Sequence, residues 1–294
     1  ATGLIGTRMK SGLKEVRMGF VLSKERQHFY QTFASKINRA VNKAPGIHGS
    51  AKIVYASSQS PSDFASLMTG LQGKIDVLGA TAVSHHDVTQ VVEKLQTGGV
   101  PCFAMFNDFA QGVRQSYLGL NNLKVGRIAA SMIATTVHIP GPVAVFVGGH
   151  RWHGHELRET GFRSYFREYA PQFNVLDTMV NLENRQLTYE ATLDLLARRP
   201  DLRAIYVAGG GMEGAIAALR EVRAPGQVAL VVNELTPQSR AGLQDRFVTL
   251  AISTPLRDFC DQIVSLMTEA ADEGVRDIRD QRFLQPDLYL PESV

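Results

Sequence analysis

RMKSGLKEVRMGFVLSKERQHFYQTFASKI, residues 8–37, is the stretch whose reading decides the fold. A polar segment runs into the apolar strand 18–22, which breaks at Ser23 into a polar loop. The loop passes through Gln27 and the aromatic pair Phe29-Tyr30 and enters an amphipathic helix. In an open parallel sheet, ligands bind outside the carboxyl ends of the strands, where such loops lie. A hydroxyl, an amide and two adjacent rings at that edge suit a ligand with apolar faces and a hydroxylated rim, as a sugar has. The alternative is that Phe29 and Tyr30 open the buried face of the first helix, since aromatic side chains are mostly core residues.

The same grammar repeats outward along the chain. Short apolar runs at 18–23, 51–57, 75–80, 100–106 and 116–120 are followed by a second series at 142–148, 173–180, 204–208, 228–233 and 248–252. Helical-period segments lie near 28–43, 61–72, 84–98, 122–137, 154–169, 186–198, 212–222, 236–244 and 256–273. Continuous apolar strands alternating with helices predict an α/β protein with parallel sheets covered on both faces. Right-handed crossovers make each half a doubly wound unit. The two series match in length and order, so the chain reads as two like lobes with a seam near Asn121-Asn122. A cleft between such lobes is the default ligand site.

Composition sets the outer limits. At 294 residues and 44% hydrophobic, the chain is long enough for two domains with substantial cores. No apolar run reaches the roughly 18 residues needed to span a bilayer. The first residues carry no signal-peptide core, as is also true of a mature exported protein. Cys102 and Cys260 are too few for a disulfide framework and read as small buried hydrophobes, which favours a reducing cytoplasm. A formal charge of +3 is too small to imply nucleic-acid binding by this chain alone.

Several loops after strands carry polar chemistry. The loop following 142–148 reads Gly148-Gly149-His150-Arg151-Trp152-His153-Gly154-His155. Three histidines invite a metal, but neither a nearby cysteine nor an HExxH spacing accompanies them, so a solvated or ligand-lining loop is the expectation and no metal is assigned. Arg158, on the first turns of the next helix, could point into the cleft and present a fork of donors to vicinal hydroxyls or a carboxylate. Its alternative is a surface ion pair with Glu156 or Glu159. Gly209-Gly210-Gly211 follows 204–208 and would permit close backbone approach to a ligand. GxGxxG and GxxxxGK[ST] are both missing, so no nucleotide cofactor is expected. Glu234 after 228–233 could accept from hydroxyls, or be an exposed loop carboxylate, and Asn107-Asp108 occupy the matching place after 100–106. Trp152 is a further ring available for stacking. No GxSxG elbow, HExxH or cofactor-lysine context argues for catalysis.

The order and spacing of these segments resemble the effector-binding core of lac-repressor-type (LacI/GalR) transcription regulators, which share a fold with type I periplasmic sugar-binding proteins. The residues carrying the resemblance are Leu4 to Gly12, the Ser23…Phe29-Tyr30 loop, Tyr117-Leu118-Gly119-Leu120-Asn121-Asn122 with Gly126-Arg127, and His155-Glu156-Leu157-Arg158-Glu159-Thr160-Gly161-Phe162. Arg199-Pro200-Asp201-Leu202 with Gly209-Gly210-Gly211, and Glu234-Leu235-Thr236-Pro237, complete the set. The resemblance implies that Ser23, Gln27, Phe29 and Tyr30 touch sugar and that Arg158 is the ligand-gripping arginine. Asn107, Asp108, Trp152 and Gly209 join the ligand set. Glu234 stands where an aspartate is usual, and Ser253 where a glutamine often lies. Phe106-Asn107 replaces an Asp-Arg pair, a departure from simple monosaccharide binders.

It also implies two doubly wound lobes joined by a three-strand hinge: residues 14–121 with 254–283, and 122–253 with 284–294. Residues 1–13 would be the remnant of a hinge segment whose Met9 wedges into the DNA minor groove. The expectation is thus a cytoplasmic, homodimeric, non-catalytic regulator. It would sense a sugar, polyol or sugar acid without a cofactor, and would bind operator DNA through a missing N-terminal helix-turn-helix. The competing expectation is a periplasmic solute-binding protein of a sugar transporter.

Overall fold

The computed structural model describes residues 12–277 and 279–294. Met9 and most of the expected hinge remnant 1–13 therefore lie outside the described residues. The first lobe opens with β1 (Lys14–Leu22), α1 (His28–Lys43), β2 (Ile47–Tyr55), α2 (Pro61–Leu71), β3 (Val77–Ala80), α3 (His86–Thr97), β4 (Cys102–Met105) and β5 (Ser116–Leu120). The chain then passes to α4 (Asn122–Thr136), β6 (Pro142–Val147), α5 (His153–Tyr169), β7 (Asn174–Val175), β8 (Met179–Val180) and α6 (Arg185–Arg198). The second lobe continues through β9 (Ala204–Val207), α7 (Met212–Val222), β10 (Ala229–Asn233), α8 (Pro237–Gln244) and β11 (Leu250–Ser253). It returns through α9 (Leu256–Glu273) and β12 (Asp280–Leu284), and ends with β13 (Asp287–Tyr289).

Two sheets result, ordered β12-β5-β4-β3-β1-β2 and β13-β11-β10-β9-β6-β7, with β8 also paired to β6. This is the type I periplasmic-binding-protein-like fold of two α/β lobes. Three connections run between the lobes: β5 to α4, β11 to α9, and β12 to β13. Three neighbouring crossings restrict relative motion to a hinge, the usual way such lobes close around a ligand.

The elements form where local chemistry favours them. β3, β4, β6, β9, β10 and β11 are buried along their whole length, as strands covered on both faces must be. Ser60, Asn121 and Asn184 cap their helices by accepting from the backbone N–H groups of Asp63, Lys124 and Leu187, which satisfies donors the helix cannot. Thr236 and Ser239 form a capping box at α8, with Pro237 in the first turn. Two details depart from the sequence reading. The run 173–180 is not one strand but β7 and β8 separated by a break, and β13 pairs antiparallel with β11.

Candidate functional site

Between the lobes, the carboxyl ends of the strands enclose a cavity of about 400 Å³, within the size range of small-molecule sites. The first lobe contributes Phe29, Tyr30, Phe106 and Leu120. Phe29 meets Phe106 edge-on at 5.0 Å, and Phe106 stacks on Phe259 with centroids 4.1 Å apart. Phe106 holds φ at +63°, a conformation that a bulky residue adopts only when its surroundings impose it. Glu183 and Glu234, on the opposite wall, are also left-handed, at +52° and +72°.

The second lobe supplies charge. Arg158 Nε donates to Asn122 Oδ1 at 2.7 Å and Nη1 to the Ala208 carbonyl at 2.7 Å, while Nη2 has no protein partner among the described residues. The surface ion pair considered from sequence is not formed: Glu159 pairs with Arg163 at 2.9 Å and Glu156 lies 3.5 Å from His153. Glu234 accepts from Thr254 Oγ1 at 2.7 Å and from Thr254 N and Ser253 Oγ at 3.0 Å. Burial pushes its pKa up against those bonds. Asn233 Oδ1 accepts from the Tyr206 hydroxyl at 2.9 Å, but its buried Nδ2 has no partner among the described residues. A buried donor left in this way is costly unless a ligand acceptor meets it.

Beside these groups, Glu183 accepts from Gly210 N at 3.1 Å and lies 3.2 Å from Lys24 Nζ. Burial opposes its ionisation, but His155, Lys24 and the Gly210 N–H outweigh that and hold its pKa below the ordinary value. His155 Nδ1 accepts from Gly148 N at 3.1 Å, which fixes the neutral tautomer with the proton on Nε2. Burial lowers its pKa to about 4, so it stays neutral at physiological pH. The glycines Gly148 and Gly209 are needed here because a Cβ on either would press on His155 and Glu183. The close approach foreseen for the glycine run is thus to protein side chains.

Of the residues expected from sequence, Gln27, Phe29, Tyr30, Asn107, Trp152, Arg158, Gly209 and Glu234 line the cavity. Three do not. Asp108 is buried in a bidentate pair with Arg114, at 2.6 and 2.8 Å, and also accepts from Gln281. Ser23 is buried, its hydroxyl without a hydrogen-bond partner among the described residues. Ser253 acts behind Glu234, orienting its carboxylate. Asn107 lines the cavity with its amide already engaged, Nδ2 to the Ala82 carbonyl at 2.6 Å and Oδ1 from Gly154 N at 2.8 Å. The loop histidines do not converge on one point: His153 faces Glu156 and His155 faces Glu183. Sequence reasoning missed Glu183 altogether, because a glutamate in a left-handed loop carries no local signal. It placed His155 in a solvated or ligand-lining loop without singling it out.

The lobes are closed on one another. Ser84 N donates to the Arg151 carbonyl at 3.0 Å, and Trp152 Nε1 to Gln59 Oε1 at 3.3 Å. On the other flank Lys24 Nζ donates to the Leu182 carbonyl at 2.9 Å. Trp152 belongs to the second lobe, yet it is 4% exposed and packs edge-on against Phe64 within the core of the first.

The chain belongs to the periplasmic binding protein domain family, which it matches over residues 18–274. Among individual proteins, it is similar to the ribose import binding protein RbsB of Bacillus subtilis, 23% identical over 285 residues, covering 94% of this chain and 87% of that one. Its fold is that of GanP, a glucose-galactose binding protein from Geobacillus stearothermophilus, with TM-score 0.83, 16% identity and coverage of 95% and 99%. It is equally that of an ABC transporter periplasmic solute binding protein from Actinobacillus succinogenes solved with D-allose, with TM-score 0.84, 16% identity and coverage of 95% and 98%.

These matches correct the expectation drawn from the LacI/GalR resemblance. The family and its relatives are solute-binding proteins, not operator-binding regulators, so the assignments to DNA binding, to a cytoplasmic homodimer and to a DNA-wedging Met9 are withdrawn. The cysteine argument for the cytoplasm also lacks physical force. Cys102 and Cys260 are both buried, and burial raises both thiol pKa values, that of Cys260 to about 12. Such inert thiols are compatible with either side of the membrane. Proteins of this family bind without catalysing, and this chain is not an enzyme.

Proposed function

We propose that the chain is the extracytoplasmic sugar-binding component of an ABC importer, holding one sugar or related polyol in the interlobe cleft and presenting it to a membrane transporter. The observation that carries this reading is the two-sided cavity, with rings on the first lobe and Arg158, Asn233 and Glu234 on the second. Phe29, Tyr30 and Phe106 would cover the apolar face of the ring, Arg158 Nη2 and Asn233 Nδ2 would donate to sugar oxygens, and Glu234 would accept from hydroxyls. Gln27, Trp152 and the backbone at Gly209 complete the enclosure. The import role of the Bacillus subtilis relative and the sugar named with the Actinobacillus succinogenes protein support the same reading.

The lobes in this reading are residues 14–121 with 254–283 and residues 122–253 with 284–294, a division supported by sheet membership. Arg158 alone argued for an acidic ligand. Glu234 beside it offsets that charge, so a neutral solute fits better. A thermal-shift screen of neutral sugars, sugar acids, purines and amino acids tests the proposal, because a ligand that binds only the folded state raises the melting temperature. Stabilisation by neutral sugars is expected, and stabilisation by purines or amino acids alone would refute the reading.

A further inference from the structure

The free hydrogen-bonding capacity of the cavity is distributed unevenly. On the first lobe, Thr81 donates to the Met105 carbonyl and both ends of the Asn107 amide are engaged. Arg26 and His28 also line the cavity but are exposed to solvent, which leaves Gln27 and Tyr30 as the other polar side chains of that lobe. Gln27 Nε2 lies 3.1 Å from where a Cβ on Gly210 would stand. The Tyr30 ring is buried at the cavity wall, its hydroxyl influenced by Glu183 and Glu234 across the cleft and by Ser23 on its own lobe. What is left of the first-lobe wall is Phe29, Phe106 and Leu120, a continuous apolar surface backed by Phe33 and Phe259. A ligand hydroxyl directed onto that patch would face carbon rather than a hydrogen-bonding group.

Resting on the sugar-binding reading above, we infer that the solute is a sugar with a deoxygenated carbon, of the 6-deoxyhexose class, whose methyl edge packs on Phe29, Phe106 and Leu120. Its hydroxylated edge faces Arg158, Asn233 and Glu234. Two effects act in the same direction. A methyl group gains from burial against the rings, and a hydroxyl in its place keeps an unsatisfied donor and acceptor after losing water. Pockets of this kind reject an added hydroxyl by about tenfold to a hundredfold.

Matched sugars isolate the effect, because D-fucose and D-galactose, L-fucose and L-galactose, and L-rhamnose and L-mannose differ within each pair only by the hydroxyl on C6. Calorimetric titration of the intact protein should show the deoxy member binding about tenfold tighter, or better, in every pair that binds. Equal affinity within the pairs, or tighter binding of the hydroxymethyl members, would overturn the inference and leave the sugar-binding reading standing. If none of the six binds while a fully hydroxylated pentose such as ribose does, the inference falls in the same way. If no sugar binds, both fall together.

Discussion

In the proposed function the site turns on Arg158, and its geometry gives a reason why lysine would not replace it. Two of its nitrogens are fixed, by Asn122 at the hinge and by the Ala208 carbonyl at the end of β9, so the third is aimed without rotational loss. A hydrogen bond to a charged donor contributes about 1.5–3 kcal/mol, so Arg158→Ala should weaken sugar binding roughly tenfold to a hundredfold. Arg158→Lys should recover little of it, because an ammonium cannot hold both anchors and reach the ligand. Calorimetry on both variants checks this, and lysine at wild-type affinity would count against the anchored-fork account. His155 gives a second expectation at this scale. Its pKa is about 4 in the folded chain against an ordinary 6.5, so the unfolded chain takes up a proton first as pH falls. Stability should therefore decline between about pH 6.5 and 4, at up to about 1.4 kcal/mol per unit. His155→Asn keeps an acceptor for Gly148 N and cannot titrate, so its melting curves should fall less steeply over that window than those of the wild type.

At the scale of elements, α4 and α5 carry Arg158 into place. They cross at Gly126 and Gly161, where backbone meets backbone: a Cβ on Gly126 would collide with the Arg158 carbonyl, and one on Gly161 with the Leu123 carbonyl. Gly161→Ala should therefore destabilise the chain by about 1–3 kcal/mol, as overpacking does, and should also loosen sugar binding by displacing Arg158. A variant as stable as the wild type in urea titration would refute the close crossing. These elements were largely legible in advance. The periods of the apolar residues located α1, α7 and α9 at their observed limits, because long amphipathic helices and fully buried strands leave strong patterns. The edges were not legible. β12 and β13 are short and mostly exposed, and β7 and β8 pair with β6 through two residues each. The lining of the cavity was legible where residues directly follow a strand, as Glu234 does, or open the next helix, as Phe29, Tyr30 and Arg158 do. It was obscure where tertiary contacts decide, since nothing local marks that Asp108 is consumed by Arg114 or that Glu183 reaches the cleft.

For the whole molecule, the resemblance identified the fold and misassigned the role. A two-lobed core closing on a small ligand can serve a regulator or an importer, and the residues that shape the cleft do not distinguish between those uses. What the structure does define is a closure that carries Trp152 of one lobe into the core of the other. Opening must withdraw that indole, the chain's sole tryptophan, so on the proposed function closure and solute occupancy would share a single reporter. By population shift, a solute that prefers the closed form holds the indole in place. The most direct test is tryptophan emission followed during titration of the sugar that best stabilises the protein. The account predicts a saturable, one-site change toward the emission of a buried indole, strongly weakened in Arg158→Ala. A sugar that binds while leaving Trp152 emission unchanged would contradict a solute held between closing lobes.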